Sequence, residues 1–134
     1  MRPNELTEGK RWLQQGERDL DDARFALSGN RFNLACFLAQ QSAEKVLKGY
    51  LYFKGAEEVW GHSVSELCGD ASGFDKEFET LKKMAASLDK YYIPTRYPNG
   101  LPGGIPAEAF DKDDAEKAIS LAESVYSFVE ERLL

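Results

Sequence analysis

The chain has 134 residues, of which 43% are hydrophobic and 30% charged, and its formal net charge at pH 7 is −6. This length and composition predict a single globular domain over residues 1–134 and exclude general disorder. The acidic balance argues against binding along a nucleic-acid duplex, which requires a broad basic face.

The sequence shows no membrane, disulfide or metal signature. The longest apolar run, Leu34 to Ala39, is far shorter than the ~20 residues that cross a bilayer. The N-terminal residues are polar and lack the apolar core of a secretory signal. Two cysteines and one histidine provide neither a disulfide framework nor zinc-ligand spacing. We therefore expect a reduced, cytoplasmic protein that uses no cofactor.

Helical periodicity predicts that the first two helices are antiparallel neighbours. Apolar residues recur at helical spacing from about Glu5 to Leu27, and Ser28-Gly29-Asn30 supplies a stop. A second helix, from about Arg31 to Phe53, follows after a very short turn. Its first half is apolar around most of its circumference, so it should lie at the centre of the bundle or also face a partner subunit.

Polar residues occupy the middle of the second helix. Gln40, Glu44 and Lys48 form one row, and Glu44 can pair with Lys48 at i, i+4 spacing. We predict that Lys45 and Lys48 bind a phosphate as point charges. The alternative for both lysines is pairing along the helix with Gln41 or Glu44.

Three further helices complete an all-α pattern. A Ser-x-x-Glu capping box predicts a short helix from Val64 to about Gly69. A longer helix is expected from about Asp75 to Lys90, with Phe74 sharing its apolar spacing, and a last helix from about Asp111. The predicted fold is an antiparallel up-and-down four-helix bundle with an additional short helix and a long Pro/Gly-rich ordered loop before the last helix.

The most unusual segment is that loop, Tyr91 to Phe110, YYIPTRYPNGLPGGIPAEAF. It holds four of the five prolines, and proline lacks the amide donor that a helix requires, so no helix is expected there. Its aromatic and aliphatic residues argue against disorder, which predicts an ordered loop packed on the bundle. Residues 81–105, with four cations and one anion, form a locally basic segment that suits a small anionic ligand or a local RNA contact.

Four residues near this segment are further candidates for ligand binding. Arg96 has a planar donor fork that fits phosphate, although it can instead anchor the loop through Glu44. Tyr92 and Tyr97 can stack on a nucleobase, although such rings often serve only to bury a loop. His62 is a candidate ligand contact, or alternatively a turn histidine that bonds to the backbone.

Several stretches in this order resemble the HEPN domain family (higher eukaryote and prokaryote nucleotide-binding). They are RWLQQGERDLDDAR at 11–24, FLAQQSAEKVLKGYL at 37–51, HSVSELC at 62–68, and the loop followed by DDAEKAISLAESV. The loop is similar to the form found at the C-terminus of sacsin and in small stand-alone prokaryotic members.

The resemblance implies an antiparallel bundle of four to five helices that often dimerises. Some family members are partners or substrate-binding subunits of minimal nucleotidyltransferases. Others are metal-independent RNases, often from toxin–antitoxin pairs, and a third type is proposed to bind nucleotides in a basic dimer groove. From this we predict a non-catalytic homodimer that binds a nucleotide or similar phosphorylated ligand. A nucleotidyltransferase partner is the first alternative and an RNase the second.

The RNase alternative is disfavoured because its motif is incomplete. The family motif places a histidine four to six residues after an arginine, and no histidine follows Arg96 anywhere. The one histidine, His62, precedes it. Tyr91 or Tyr97 would have to act as the base, which is poor chemistry at an ordinary tyrosine pKa of ~10.

Overall fold

The computed structural model describes residues 3–133, and within them every regular element is helical. The helices are α1 (Pro3–Ser28), α2 (Phe32–Phe53), α3 (Val64–Ser72), α4 (Phe78–Ala85), α5 (Pro106–Ala109) and α6 (Lys112–Leu133). Two 3₁₀ segments, Ala86–Tyr91 and Pro98–Gly100, lie between α4 and α5. The all-α prediction is confirmed.

α2 is the central helix of the bundle. Thirteen of its residues are buried, from Ala35 to Leu51, and it packs against α1, α3 and α6. α3 also packs on α4, which in turn contacts α6. α2 therefore lies at the centre of the bundle, one of the two predicted placements, and Gln40, Glu44 and Lys48 in its middle are buried within the domain.

Small residues let α1 and α2 approach closely. A Cβ atom on Gly49 would lie 2.9 Å from the main-chain oxygen of Gly9, and one on Gly16 would lie 2.6 Å from Cγ2 of Val46. The Ser42 hydroxyl donates to the Gly16 carbonyl at 2.7 Å in the same interface. Larger residues at these positions would separate α1 from the central helix α2.

The beginnings of two later helices follow their capping signals. Ser63 caps α3 by accepting a hydrogen bond from the Glu66 amide at 3.1 Å, as the sequence predicts. Asp89 adds a long-range cap, because its carboxylate accepts from the Val64 amide at 2.6 Å and from the Ser63 hydroxyl at 2.7 Å. At α6, Asp111 accepts from the Asp114 amide at 2.9 Å, which agrees with the predicted start near Asp111. The Asp89 cap also joins the turn just after His62 to the 3₁₀ segment that follows α4.

Three local predictions were wrong. The helix expected at residues 75–90 is α-helical only over Phe78–Ala85 and continues as a 3₁₀ helix to Tyr91. Phe74, expected on its apolar stripe, is 48% exposed because it precedes the helix. The proline-rich loop contains two helical turns, since Pro98 and Pro106 stand at first positions, where no amide donor is needed.

No helix within residues 3–133 combines the length and apolarity that a membrane span requires.

Candidate functional site

The loop between α4 and α6 is held to the bundle around Thr95. This residue is completely buried, and its hydroxyl donates to the main-chain oxygens of Tyr91 at 2.7 Å and Tyr92 at 2.9 Å. Its own carbonyl accepts a hydrogen bond from the Asn33 side chain of α2 at 3.0 Å. The loop therefore has a defined position just before Arg96.

Arg96 is exposed and makes no ion pair with any residue of the 3–133 range. Its guanidinium carbon lies 5.3 Å from the ring centroid of Phe37 on α2, within the range of a cation–π contact. Anchoring through Glu44, the alternative considered from the sequence, is not what the structure contains. The donor fork of Arg96 is thus directed by an aromatic ring and remains available to an anion.

Glu44 is instead the centre of a buried polar network. Its carboxylate lies 3.1 Å from Nζ of Lys48 and 3.2 Å from Nδ1 of His62. The side-chain amides of Gln40 and Gln41 approach it at 3.5 and 3.4 Å. Only 6% of the Glu44 side chain is exposed, so these donors replace the water that the charge would otherwise require.

Aromatic contacts connect the network to Arg96. The ring of Tyr92 stacks on His62 at a centroid distance of 4.8 Å and, less closely, on Phe37 at 6.2 Å. Burial, then the negative charge of Glu44 and the nearby Tyr97 hydroxyl, raise the pKa of Tyr92. Tyr97 itself is 58% exposed and forms no ring contact within the described residues. Of the two predicted stacking residues, Tyr97 is therefore the one whose ring is available to stack on a nucleobase.

We refer to these neighbouring residues as the Arg96–His62 patch. Its members are Phe37, Glu44, His62, Tyr92, Arg96 and Tyr97. They come from α2, the turn before α3 and the loop, three segments that are far apart in sequence.

The two predicted phosphate-binding lysines meet carboxylates within the chain. Lys48 is buried against Glu44 and also lies 5.6 Å from the ring centroid of Trp12. Lys45 pairs with Asp19 of α1 at 2.5 Å. Lys48 therefore contacts the patch through Glu44, whereas Lys45 lies on the side of α2 that faces α1. Each lysine has a carboxylate that balances its charge.

A groove of about 560 Å³ runs along this α1 side. Trp12 and Lys45 line it together with Arg11, which pairs with Glu8. The volume falls in the range of small-molecule sites. However, both cations in the groove have carboxylate partners, so it lacks the unpaired positive charge that the patch offers to an anion.

The described residues contain no cluster of His, Cys, Asp or Glu side chains with the arrangement of a metal site. Burial raises the pKa of the Cys36 and Cys68 thiols to about 12, which makes both poor ligands and poor nucleophiles near neutral pH. We therefore exclude the two thiols from the candidate site.

Sequence reasoning missed two features of the patch. Phe37 was assigned only to the apolar face of α2, and the contact between His62 and Glu44 was not anticipated. Phe37, Gln40 and Glu44 recur at i, i+3 and i+7, the spacing of one helix face. That spacing was a usable signal for Phe37, whereas nothing local could indicate the contact between His62 and Glu44.

Comparison with known proteins places this helical fold in a family. The HEPN domain model matches residues 10–132, so the chain belongs to the HEPN domain family. The predicted resemblance is confirmed.

Solved structures support the assignment. TT1696 from Thermus thermophilus is 40% identical, with a TM-score of 0.85 over 92% of this chain and 97% of that one. ST0689, described as an archaeal HEPN homologue, is 38% identical, with a TM-score of 0.79 over 95% and 98% of the two chains. A Methanocaldococcus jannaschii protein named "Putative toxin MJ1304" is 26% identical over 92% of this chain and 87% of its own length.

Proposed function

We propose that this HEPN protein binds a nucleotide or a similar phosphorylated ligand at the Arg96–His62 patch without altering it chemically. The observation that carries the proposal is the state of Arg96, an exposed guanidinium with no carboxylate partner in the described chain, held against Phe37 on a fixed loop. An arginine in this state can donate two parallel hydrogen bonds to a phosphate.

The surroundings of Arg96 suit the rest of a nucleotide. Tyr97 follows Arg96 directly, and its exposed ring makes no aromatic contact among the described residues, so a base can stack on it. Because Thr95 is pinned to α2 through Asn33, little loop entropy is lost when a ligand binds. Lys48 contributes to the patch indirectly, through its ion pair with Glu44. Lys45 would have to break its ion pair with Asp19 before it could contact a phosphate.

Titration with ATP and GTP tests the proposal by calorimetry. We expect saturable binding that Arg96→Ala weakens roughly ten- to a hundredfold, as expected for loss of hydrogen bonds to a charged group. The matched control is Arg18→Ala, because Arg18 is an exposed arginine paired with Asp22 on α1. If the parent protein binds neither nucleotide, or if both variants behave alike, the proposal fails.

Ribonuclease activity is the second candidate, and two observations favour it. One relative is named as a toxin, and His62 lies on the same patch as Arg96 although it precedes Arg96 in sequence. A histidine held by a buried carboxylate is a suitable general base for attack by a ribose hydroxyl. Cleavage of single-stranded RNA in the presence of a chelator, abolished by His62→Ala and by Arg96→Ala, would replace binding by catalysis as the function.

The assembly predictions accompany either function. We propose that the protein acts as a homodimer, supported by the family assignment and by exposed apolar side chains such as Phe25, 80% exposed, and Ile93, 42% exposed. Light scattering would give the mass in solution. A nucleotidyltransferase partner remains a prediction, which co-expression with a nucleotidyltransferase encoded beside this protein would test.

A further inference from the structure

Contacts within the chain hold the exposed side chain of His62 in a defined orientation. Its side chain is 58% exposed, yet its main-chain oxygen accepts from Gln40 at 2.8 Å and its ring stacks on Tyr92 at 4.8 Å. Its Nδ1 atom lies 3.2 Å from Glu44. Three contacts thus fix the backbone, the ring plane and the ring rotation of a side chain that faces solvent.

The contact with Glu44 determines which ring nitrogen of His62 carries the proton in the neutral imidazole. A carboxylate accepts hydrogen bonds, so in the neutral ring the proton resides on Nδ1 and is donated to Glu44. Nε2 then keeps its lone pair, and it has no hydrogen-bond partner among residues 3–133. In the neutral ring, Nε2 of His62 is therefore a hydrogen-bond acceptor to which a bound ligand can donate.

Two amide side chains of α2 hold the segments that carry this acceptor and the unpaired cation. Asn33 holds the carbonyl next to Arg96, and Gln40 holds the carbonyl of His62 itself. The two amides are seven residues apart, which is two turns or about 10 Å along a helix. A nucleoside phosphate offers a phosphate to the cation and a sugar hydroxyl to the acceptor, whereas inorganic phosphate offers no sugar hydroxyl.

We infer that Nε2 of His62 accepts a hydrogen bond from the ribose 2′-hydroxyl of the bound nucleotide, so that the site selects ribonucleotides over deoxyribonucleotides; this rests on the function proposed above. The ribose hydroxyls are the donors that every ribonucleotide carries whatever its base, and a 2′-hydroxyl is the group that separates RNA from DNA components. His62 is then the residue that determines sugar specificity, and Glu44 is a positioning residue that acts through it.

The first experiment compares ATP with 2′-deoxy-ATP and 3′-deoxy-ATP on the parent protein and on His62→Phe. Phenylalanine keeps a ring to stack on Tyr92 but has no acceptor. We expect the parent to bind ATP about three- to tenfold more tightly than 2′-deoxy-ATP, the effect of one hydrogen bond, and to bind 3′-deoxy-ATP as tightly as ATP. His62→Phe should bind all three with the weaker affinity. Phe74→Ala, a change in an exposed ring outside the patch, should leave the parent ratio intact.

The second experiment observes the tautomer directly. The chain has a single histidine, so its two imidazole nitrogens give unambiguous ¹⁵N signals. For the neutral ring of the free parent we expect the shifts that accompany protonation on Nδ1. Glu44→Gln should mix the tautomers, because a carboxamide can either donate or accept, and should lower the sugar discrimination.

The outcomes separate this inference from the proposed function. Equal affinity of the parent for ATP and 2′-deoxy-ATP would overturn the inference and leave nucleotide binding standing. Discrimination that survives in His62→Phe, or a ring protonated on Nε2, would also overturn it. Failure of the parent to bind any nucleotide would remove both.

Discussion

The side-chain amide of Asn33 donates to the main-chain oxygen of Thr95 at 3.0 Å, joining residues that lie 62 positions apart in the chain. This bond ties the proline-rich loop to the central helix one residue before the exposed guanidinium of Arg96. It therefore couples the helical scaffold to the site, and its removal should affect the loop before it affects the bundle.

Replacement of Asn33 by alanine should loosen that loop selectively. The Thr95 carbonyl would lose its donor in a buried position, at a cost of about 1–3 kcal/mol. Hydrogen exchange measured by mass spectrometry should become faster in residues 91–105 and stay unchanged in α1. Asn99→Ala is the control, since Asn99 is exposed in the same loop. Equal exchange in both variants would show that the bond does not hold the loop.

A double-mutant cycle should show that Glu44 and Lys48 contribute to the free energy of unfolding as a coupled pair. Glu44→Leu leaves the Lys48 ammonium buried without its carboxylate, which should lower the free energy of unfolding by roughly 3 kcal/mol. Adding Lys48→Met removes the stranded charge and should restore most of the loss, because an apolar pair can replace a buried ion pair. Urea denaturation of both single variants and the double variant measures these effects. If the two single changes are simply additive, the residues do not act as a pair.

The close approach of α1 and α2 predicts a strong effect at Gly49. A Cβ atom there would lie 2.9 Å from the Gly9 carbonyl, a backbone atom that cannot move aside cheaply. Gly49→Ala should therefore destabilise the protein by about 1–3 kcal/mol despite the better helix propensity of alanine. Gly103→Ala provides the contrast, because an added Cβ there meets nothing within 4 Å. Thermal unfolding should show a lower Tm for Gly49→Ala alone.

The two cysteines predict a loss of stability at alkaline pH. Burial raises the pKa of Cys36 and Cys68 from the ordinary 9.0 to about 12. Between these values the unfolded thiols release protons that the folded thiols retain, so the free energy of unfolding falls as the pH rises from 9.0 towards 12. Each thiol contributes up to ~1.4 kcal/mol per pH unit in that window.

Denaturation at several pH values, repeated on a Cys36→Ala, Cys68→Ala double variant, should show a shallower decline for the variant. The native protein should also resist iodoacetamide at mildly alkaline pH until it is unfolded. Rapid alkylation of the folded chain would contradict the burial on which this prediction depends.

Some of the site was accessible from the sequence, and some was not. The i, i+4 pairing of Glu44 with Lys48 was one of two stated alternatives, because both residues lie on one helix and their distance follows from helix geometry. The contact between Glu44 and His62 was not foreseen, since it depends on how the turn before α3 returns to α2. The same is true of Phe37 beneath Arg96.

The sequence by itself determined the order of the helices, the cap at Ser63, the family and the position of the unusual loop, because each of these depends on residues close together in the chain. Only the tertiary structure decided which partner Glu44 takes. Lys48, His62 and Arg96 were all chemically able to neutralise it, and the packing of three distant segments gave it the first two and left the guanidinium of Arg96 exposed. Local spacing cannot choose among such partners, since the choice depends on distances in space that no sequence interval records.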